Sequence, residues 1–102
     1  MILDGHAQTV EMKATALFGI QEIYEWHFND SGDLVEDEFP KLDRQSTTEF
    51  AGDWYEVHVD KSDTRIARLT VTDNDSGTQR KITIHAECWG KGDIIHITQN
   101  PL

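Results

Sequence analysis

The chain has 102 residues, with nine basic against nineteen acidic side chains and a formal charge of −10. That length fits one domain able to bury a core without disulfide staples, and 37% hydrophobic residues are too many for a disordered acidic tail. The charge removes the usual electrostatic drive toward nucleic acid or an anionic membrane, and no apolar run approaches the roughly 20 residues of a membrane span. At the N-terminus, Met1-Ile2-Leu3-Asp4-Gly5-His6 has neither a basic stretch nor an apolar h-region, so no signal peptide is expected in this chain; that leaves export open. The lone Cys88 rules out an internal disulfide and a cysteine-rich zinc site.

The strongest signal is period two, the mark of strands with one face buried. From Thr9 to Phe18, Val10, Met12, Ala14, Ala16 and Phe18 alternate with polar residues, Leu17 excepted. A second run, Ile20 to Phe28, sets Ile20, Tyr24, Trp26 and Phe28 against Gln21, Glu25 and His27, with a local break at Glu22 and Ile23. Continuing that parity places Trp26 in the core beside Tyr24 and Phe28. Gly19 between the runs reads as a bulge or tight corner.

The stretch 29–52 departs from this pattern. It opens on the turn signal Asn29-Asp30-Ser31-Gly32-Asp33 and continues through the acidic run Glu36-Asp37-Glu38, a solvated charge run by default. Seven acids against Lys41 and Arg44 give it half the net charge of the chain. Phe39, Leu42 and Phe50 are expected to anchor it to the core, as a short helix or a strand.

Alternation resumes at Trp54 to Val59, where Tyr55, Val57 and Val59 oppose Trp54, Glu56 and His58, so that one of Trp54 and Tyr55 faces out. Ala67, Leu69 and Val71 mark the next strand, and Ile82, Ile84, Ala86 and Cys88 the one after. Ile94 to Gln99 form the last, beyond the turn Trp89-Gly90-Lys91-Gly92-Asp93. Six or seven short strands separated by turn clusters predict an all-β fold, an immunoglobulin-like antiparallel β-sandwich of about seven strands in one domain, 1–102, with an acidic insertion near 29–52.

The second half of the chain, about Phe50 to Gln99, carries an ordered set of elements. Trp54 opens a strand, Leu69-Thr70-Val71-Thr72 ends in the polar turn Asp73-Asn74-Asp75-Ser76-Gly77, Arg80 starts the next strand, and Ile95-His96-Ile97-Thr98-Gln99 ends on Thr-Gln. In order and spacing this set resembles the BACON module, the Bacteroidetes-associated carbohydrate-binding often N-terminal domain. The resemblance implies an immunoglobulin-like sandwich in which Trp54 is a core position. It also implies an extracytoplasmic location, periplasmic or cell surface, and a non-catalytic role as a glycan-binding or spacer module. The 29–52 insertion is the main departure from the family pattern.

A sugar site needs an aromatic face beside polar groups, because a pyranose has an apolar face and a hydroxyl rim. Trp89 is the candidate, flanked by Glu87, Lys91 and Asp93 at a glycine-rich turn; its indole either stands open to solvent or folds back over the core. Five histidines raise a metal question. Pairing Cys88 with Ile95 would set Glu87 opposite His96 with His85 diagonal to it, an outer-face arrangement that needs no ion to explain it. His27 and His58 show no partner in the sequence. The loop from Asp73 begins like a calcium loop but has Thr78 and Ile84 where an EF-hand needs Gly and Glu, so a plain turn is expected. Neither facing carboxylates nor a nucleophile elbow is evident, and Cys88 reads as a buried thiol.

These observations predict a non-catalytic binding or spacer module without metal or cofactor, whose partner is a glycan or a surface protein. The alternative is an acidic protein-interaction module, of inhibitor or immunity type, that engages a basic partner through the acidic stretch.

Overall fold

Side-chain alternation, where nothing interrupts it, sorts the residues of a strand onto two faces. The computed structural model describes residues 1–13, 19–43, 47–88 and 91–102, and side chains outside 87–93. The strands are β1 (Ile2–Leu3), β2 (Gln8–Lys13), β3 (Gly19–Phe28), β4 (Leu34–Glu36), β5 (Glu49–Ala51), β6 (Tyr55–Val59), β7 (Ile66–Val71), β8 (Arg80–Cys88) and β9 (Lys91–Gln99). In β6, Tyr55, Val57 and Val59 are buried and Glu56 and His58 exposed, as period two requires.

Two sheets result, one of five strands in the order β1-β9-β8-β3-β4 and one of four in the order β2-β7-β6-β5. Every pairing is antiparallel except that of β1 with β9. The chain changes sheet between β1 and β2, between β2 and β3, between β4 and β5 and between β7 and β8, which makes the fold an immunoglobulin-like β-sandwich. Among the described residues nine strands stand where about seven were expected, because β1 and the two short strands of the 29–52 stretch join the sheets. Among the described residues no helix is long and apolar enough to cross a membrane.

The core is shared evenly between the layers. Ile20, Ile23, Ile82, Ile84 and Ile97 of the larger sheet meet Met12, Tyr55, Val57, Leu69 and Val71 of the smaller, all nearly inaccessible to water. Each such side chain contributes about 1.5–3 kcal/mol by leaving water.

One irregularity governs the rest of the molecule. In the β3–β8 ladder Ile20 faces Ala86, but after a register shift between Ile20 and Glu22, Ile23 faces Ile84 and Glu25 faces Ile82. A β-bulge adds one residue to one strand, and one residue reverses every later side chain. Past the bulge, Ile23 and Glu25 point inward and Tyr24, Trp26 and Phe28 point outward. Trp26 is therefore not a core residue as its parity with Ile20 predicts.

The inward Glu25 is held by the opposite layer. The Tyr55 hydroxyl, in a ring only 2% exposed, donates to Glu25 Oε2 at 2.9 Å. Burial, and the carboxylate beside it, push the Tyr55 phenol well above its ordinary value.

The 29–52 stretch is an edge of the sandwich. Its chain runs antiparallel along β3: β4 pairs with Trp26 to Phe28, Asp37 N–H donates to the Glu25 carbonyl, Lys41 N–H to the Ile23 carbonyl, and Thr47 bridges Ile20. It then crosses to the other sheet as β5, on β6. The irregular pairing covers the β3 edge, which would otherwise offer unpaired backbone to another chain. Leu42 and Phe50 pack on the core as expected. Phe39 does not: it is 77% exposed, because the backbone bonds of Asp37 and Lys41 hold the edge while the residues between them loop outward.

Two polar knots close one end. Asn74, fully buried, donates from Nδ2 to the carbonyls of Thr78 and Gln99 and accepts at Oδ1 from Ser76. Its backbone N–H meets the Gly5 carbonyl and its carbonyl takes Leu102 N–H, so this turn ties both termini together. A Cβ on Gly5 would lie 2.4 Å from Leu102 N, so glycine is required there. In the second knot Arg80 bonds the Gln99 side chain at 2.7 Å and the carbonyls of Thr72 and Asp73, with its guanidinium 4.7 Å from the centre of the Trp54 ring.

Candidate functional site

The outer face of the five-stranded sheet is built around β3. At two-residue intervals Tyr24, Trp26 and Phe28 stand on the solvent side, a row of about 13 Å from strand rise alone. Trp26 is half-buried and Phe28 is 45% exposed. The neighbouring strands add Lys81, Thr83 and His85 from β8, Ile94, His96 and Thr98 from β9, and Glu36 from β4. Ile94 and Ile2, both largely exposed, extend the apolar surface to its borders.

A hydrogen-bonded chain fixes the centre of this face. Trp26 Nε1 donates to Thr83 Oγ1 at 2.9 Å, and the same oxygen lies 3.0 Å from His96 Nδ1. An indole N–H only donates, so the Thr83 hydroxyl accepts from Trp26 and shares a second hydrogen bond with His96 Nδ1, whose direction follows the imidazole tautomer. Thr83 itself is 1% exposed, covered by the groups it orients. Lys81 Nζ sits 4.1 Å from the Trp26 ring centre, a cation–π contact that also holds the indole.

A second cluster lies one step along the strands. The Tyr24 ring lies 5.2 Å from that of His85, and Tyr24 donates to Glu22 Oε2 at 3.1 Å. Glu22 Oε1 is 3.5 Å from His85 Nδ1. The bond to this carboxylate is the main cause that raises the Tyr24 phenol above its ordinary value. Rings locked in this way present a surface that needs no reordering to bind, which limits the entropy lost in a complex.

The sequence-predicted site falls elsewhere. Trp89, and the side chains of Glu87, Lys91 and Asp93, lie outside the described residues, as does the Cys88 thiol. The backbone shows that β8 and β9 form a tighter hairpin than the pattern implied, with Cys88 opposite Lys91 and Asp93 opposite Ala86, so Lys91 and Asp93 belong to a strand. Cys88 does not pair with Ile95, and Glu87 lies opposite Gly92. His96 faces Thr83 and His85 faces Ile94. The imagined Glu87, His85 and His96 group is thereby dissolved.

His27 and His58 do have partners: His27 is hydrogen-bonded to Asp37, and His58 lies 3.4 Å from both Glu49 and Glu56. Among the described residues no group of three His, Cys, Asp or Glu side chains is placed to hold a metal ion.

Of the pair Trp54 and Tyr55, it is Tyr55 that enters the core. Trp54 is half-buried, edge-on to Tyr55 at 5.0 Å, and borders a cleft of about 260 Å³ lined by Gly52, Asp53, Trp54, Tyr55, Glu56, Thr70 and Thr72. Sequence reasoning missed both the aromatic row and this cleft. The break in alternation at Glu22 and Ile23 is the signal that could have exposed the first.

No family model matches the chain, and no curated protein matches it. Among solved structures the chain is similar to one described as the NMR structure of the protein from Bacteroides thetaiotaomicron. The TM-score is 0.69 at 17% identity, covering all of this chain and 75% of the other. At that identity the likeness is one of fold, and it speaks for the sandwich.

Proposed function

We propose that this protein is a non-catalytic, extracytoplasmic binding module that holds an extended neutral glycan against the outer face of its five-stranded sheet. The observation that carries this reading is the solvent-facing row Tyr24, Trp26 and Phe28, with Trp26 and His96 fixed by the Thr83 hydroxyl. Sugar rings have an apolar C–H face that suits an aromatic side chain, and a hydroxyl rim that suits the His96, Glu36 and Lys81 groups beside it. A linear chain laid along β3 would meet successive rings, so affinity would grow with the number of sugar units. The charge of −10 disfavours uronic or sulfated chains through long-range repulsion and leaves neutral glycans as the matching class. Extracytoplasmic placement is supported by the BACON resemblance of the second half of the chain.

The test is affinity electrophoresis and calorimetry against a panel of soluble neutral polysaccharides and their oligosaccharides. The wild type is expected to bind at least one, and Trp26→Ala is expected to weaken that binding about tenfold or more, the scale of an aromatic anchor. Trp89→Ala, which tests the hairpin predicted from sequence, should leave it unchanged. No retention by the wild type on any panel member would overturn the reading, and loss in Trp89→Ala alone would move the site to the hairpin.

A further inference from the structure

A second site of different chemistry lies at the end of the four-stranded sheet, and it does not depend on the glycan reading. We infer that the Trp54 cleft receives a basic side chain, an arginine or lysine, of a partner protein. At about 260 Å³ it has room for one long side chain. Its walls are the Trp54 and Tyr55 rings and the hydroxyl-bearing Thr70 and Thr72, and its two charged members, Asp53 and Glu56, are both acidic and exposed.

No cation of the described chain answers those carboxylates. Arg68 is bound to Asp60 at 2.7 Å and to Glu11, Arg65 to Asp63, and none of them lines the cleft. Among the described residues Glu56 has only His58, at 3.4 Å, and Asp53 has no ion pair. The molecule also shows what Trp54 accepts. The Arg80 guanidinium already stacks 4.7 Å from its ring centre and bonds the carbonyl of Thr72 at the border of the cleft.

An aromatic face with two carboxylates at its border is the arrangement that recognises a guanidinium or ammonium, through cation–π attraction and charge-assisted hydrogen bonds. A neutral sugar would leave both charges without a counterpart. The net charge of −10 supplies the long-range steering of a basic partner toward such a site.

The experiment titrates the full chain with acetyl-arginine amide and, in parallel, with acetyl-citrulline amide, which has nearly the same shape without the charge, while NMR follows the Trp54 indole N–H and the Thr72 amide. Saturable shifts at millimolar arginine, absent with citrulline, are expected. An Asp53→Asn, Glu56→Gln double variant should weaken the arginine response about tenfold or more, and 0.5 M salt should weaken it as well. This variant is chosen because Trp54→Ala would strip the ring from Arg80 and endanger the fold, whereas both carboxylates are on the surface. Equal responses to arginine and citrulline, or an unchanged response in a folded double variant, would overturn the inference. Shifts at Trp26 instead of Trp54 would also overturn it, by placing the cation on the aromatic face. Because the readout involves no sugar, its failure leaves the glycan reading where it stands.

Discussion

The two outer faces of the sandwich have the same backbone geometry and opposite surface chemistry. On the four-stranded sheet, polar groups satisfy one another: Thr9 and Thr70 share a hydroxyl contact at 3.0 Å, Arg68 bridges Asp60 and Glu11, and His58 lies between Glu49 and Glu56. On the five-stranded sheet, aromatic rings take the centre, and polar groups such as Thr83 serve to hold them. The first is what a solvated sheet face needs for itself. The second puts large rings into water and orients them, which the stability of the sandwich does not require. That difference is why the glycan is assigned to the five-stranded face.

The contrast depends on the one unpaired residue in β3, so the largest effect is expected from shifting the strand by one more. Inserting an alanine between Glu22 and Ile23 would turn Ile23 out of the core and Trp26 into it unless the bulge took up a second unpaired residue. Loss of about 2–5 kcal/mol, the scale of losing a buried Ile-sized side chain, or failure to fold is expected in urea denaturation. An insertion variant as stable as the wild type would show that parity does not hold the faces apart.

Next is the bond that keeps Glu25 on the inner side. Tyr55→Phe should cost about 1–3 kcal/mol, because the inward carboxylate loses its donor. The same bond and the burial of the ring set the alkaline behaviour. A phenol held above its ordinary value gives stability that is complete below about pH 10 and is lost as pH rises beyond it, since only the unfolded chain then releases the proton. Melting temperatures from pH 8 to 11 should fall in the wild type and fall less in Tyr55→Phe.

A smaller effect is expected on the aromatic face itself. Thr83→Val keeps the side-chain shape and removes the hydroxyl between Trp26 and His96. Glycan affinity should drop about threefold as both rings lose their orientation, with little change in melting temperature because both partners can turn to water. Unchanged affinity would show that the rings are held by packing alone.

The smallest belongs to the opposite face. The Arg68 hydrogen bond and the backbone N–H groups of Ser62 and Asp63 hold the Asp60 carboxyl below its ordinary value. Stability from a depressed carboxyl is present above the ordinary carboxylate pKa and disappears as pH falls through the lower, folded-state value. Arg68→Ala should therefore reduce the acid-side loss slightly between neutral pH and pH 3, by thermal melts. Glycan affinity should not change; if it does, the two faces are not independent.

Much of this was legible in the residues. Val57, Val59, Ala67, Leu69, Val71, Ile82, Ile84 and Ala86 announced their inward direction by uninterrupted alternation, and each is buried; that Tyr55 and not Trp54 enters the core was left open by the residues. The turn at Asp73 to Gly77 was legible as a turn, although its buried Asn74 was not, since nothing local says that Gly5, Gln99 and Leu102 will converge on it. The 29–52 stretch was legible as a departure, but its role as an edge strand depends on bonds to Ile20, Ile23 and Glu25 in a strand that precedes it. The candidate site was the least legible part, and for a local reason. Continuing one parity from Ile20 through Phe28 gathers the aromatic residues with the core, and a single extra residue reverses that conclusion.

By itself, then, the sequence determined that this is an all-β chain of short strands, because period two is imposed by the pleat of each strand before any strand meets another. It also determined the acidity and its concentration near 29–52. Only the tertiary structure decided which side of β3 faces water, how β8 and β9 align, and that Trp54, Arg80 and Gln99 form one knot. The reason is physical: alternation tells two faces of a strand apart, but which face is buried depends on the partner sheet, and a bulge is stable only where a neighbouring strand accepts the shifted register.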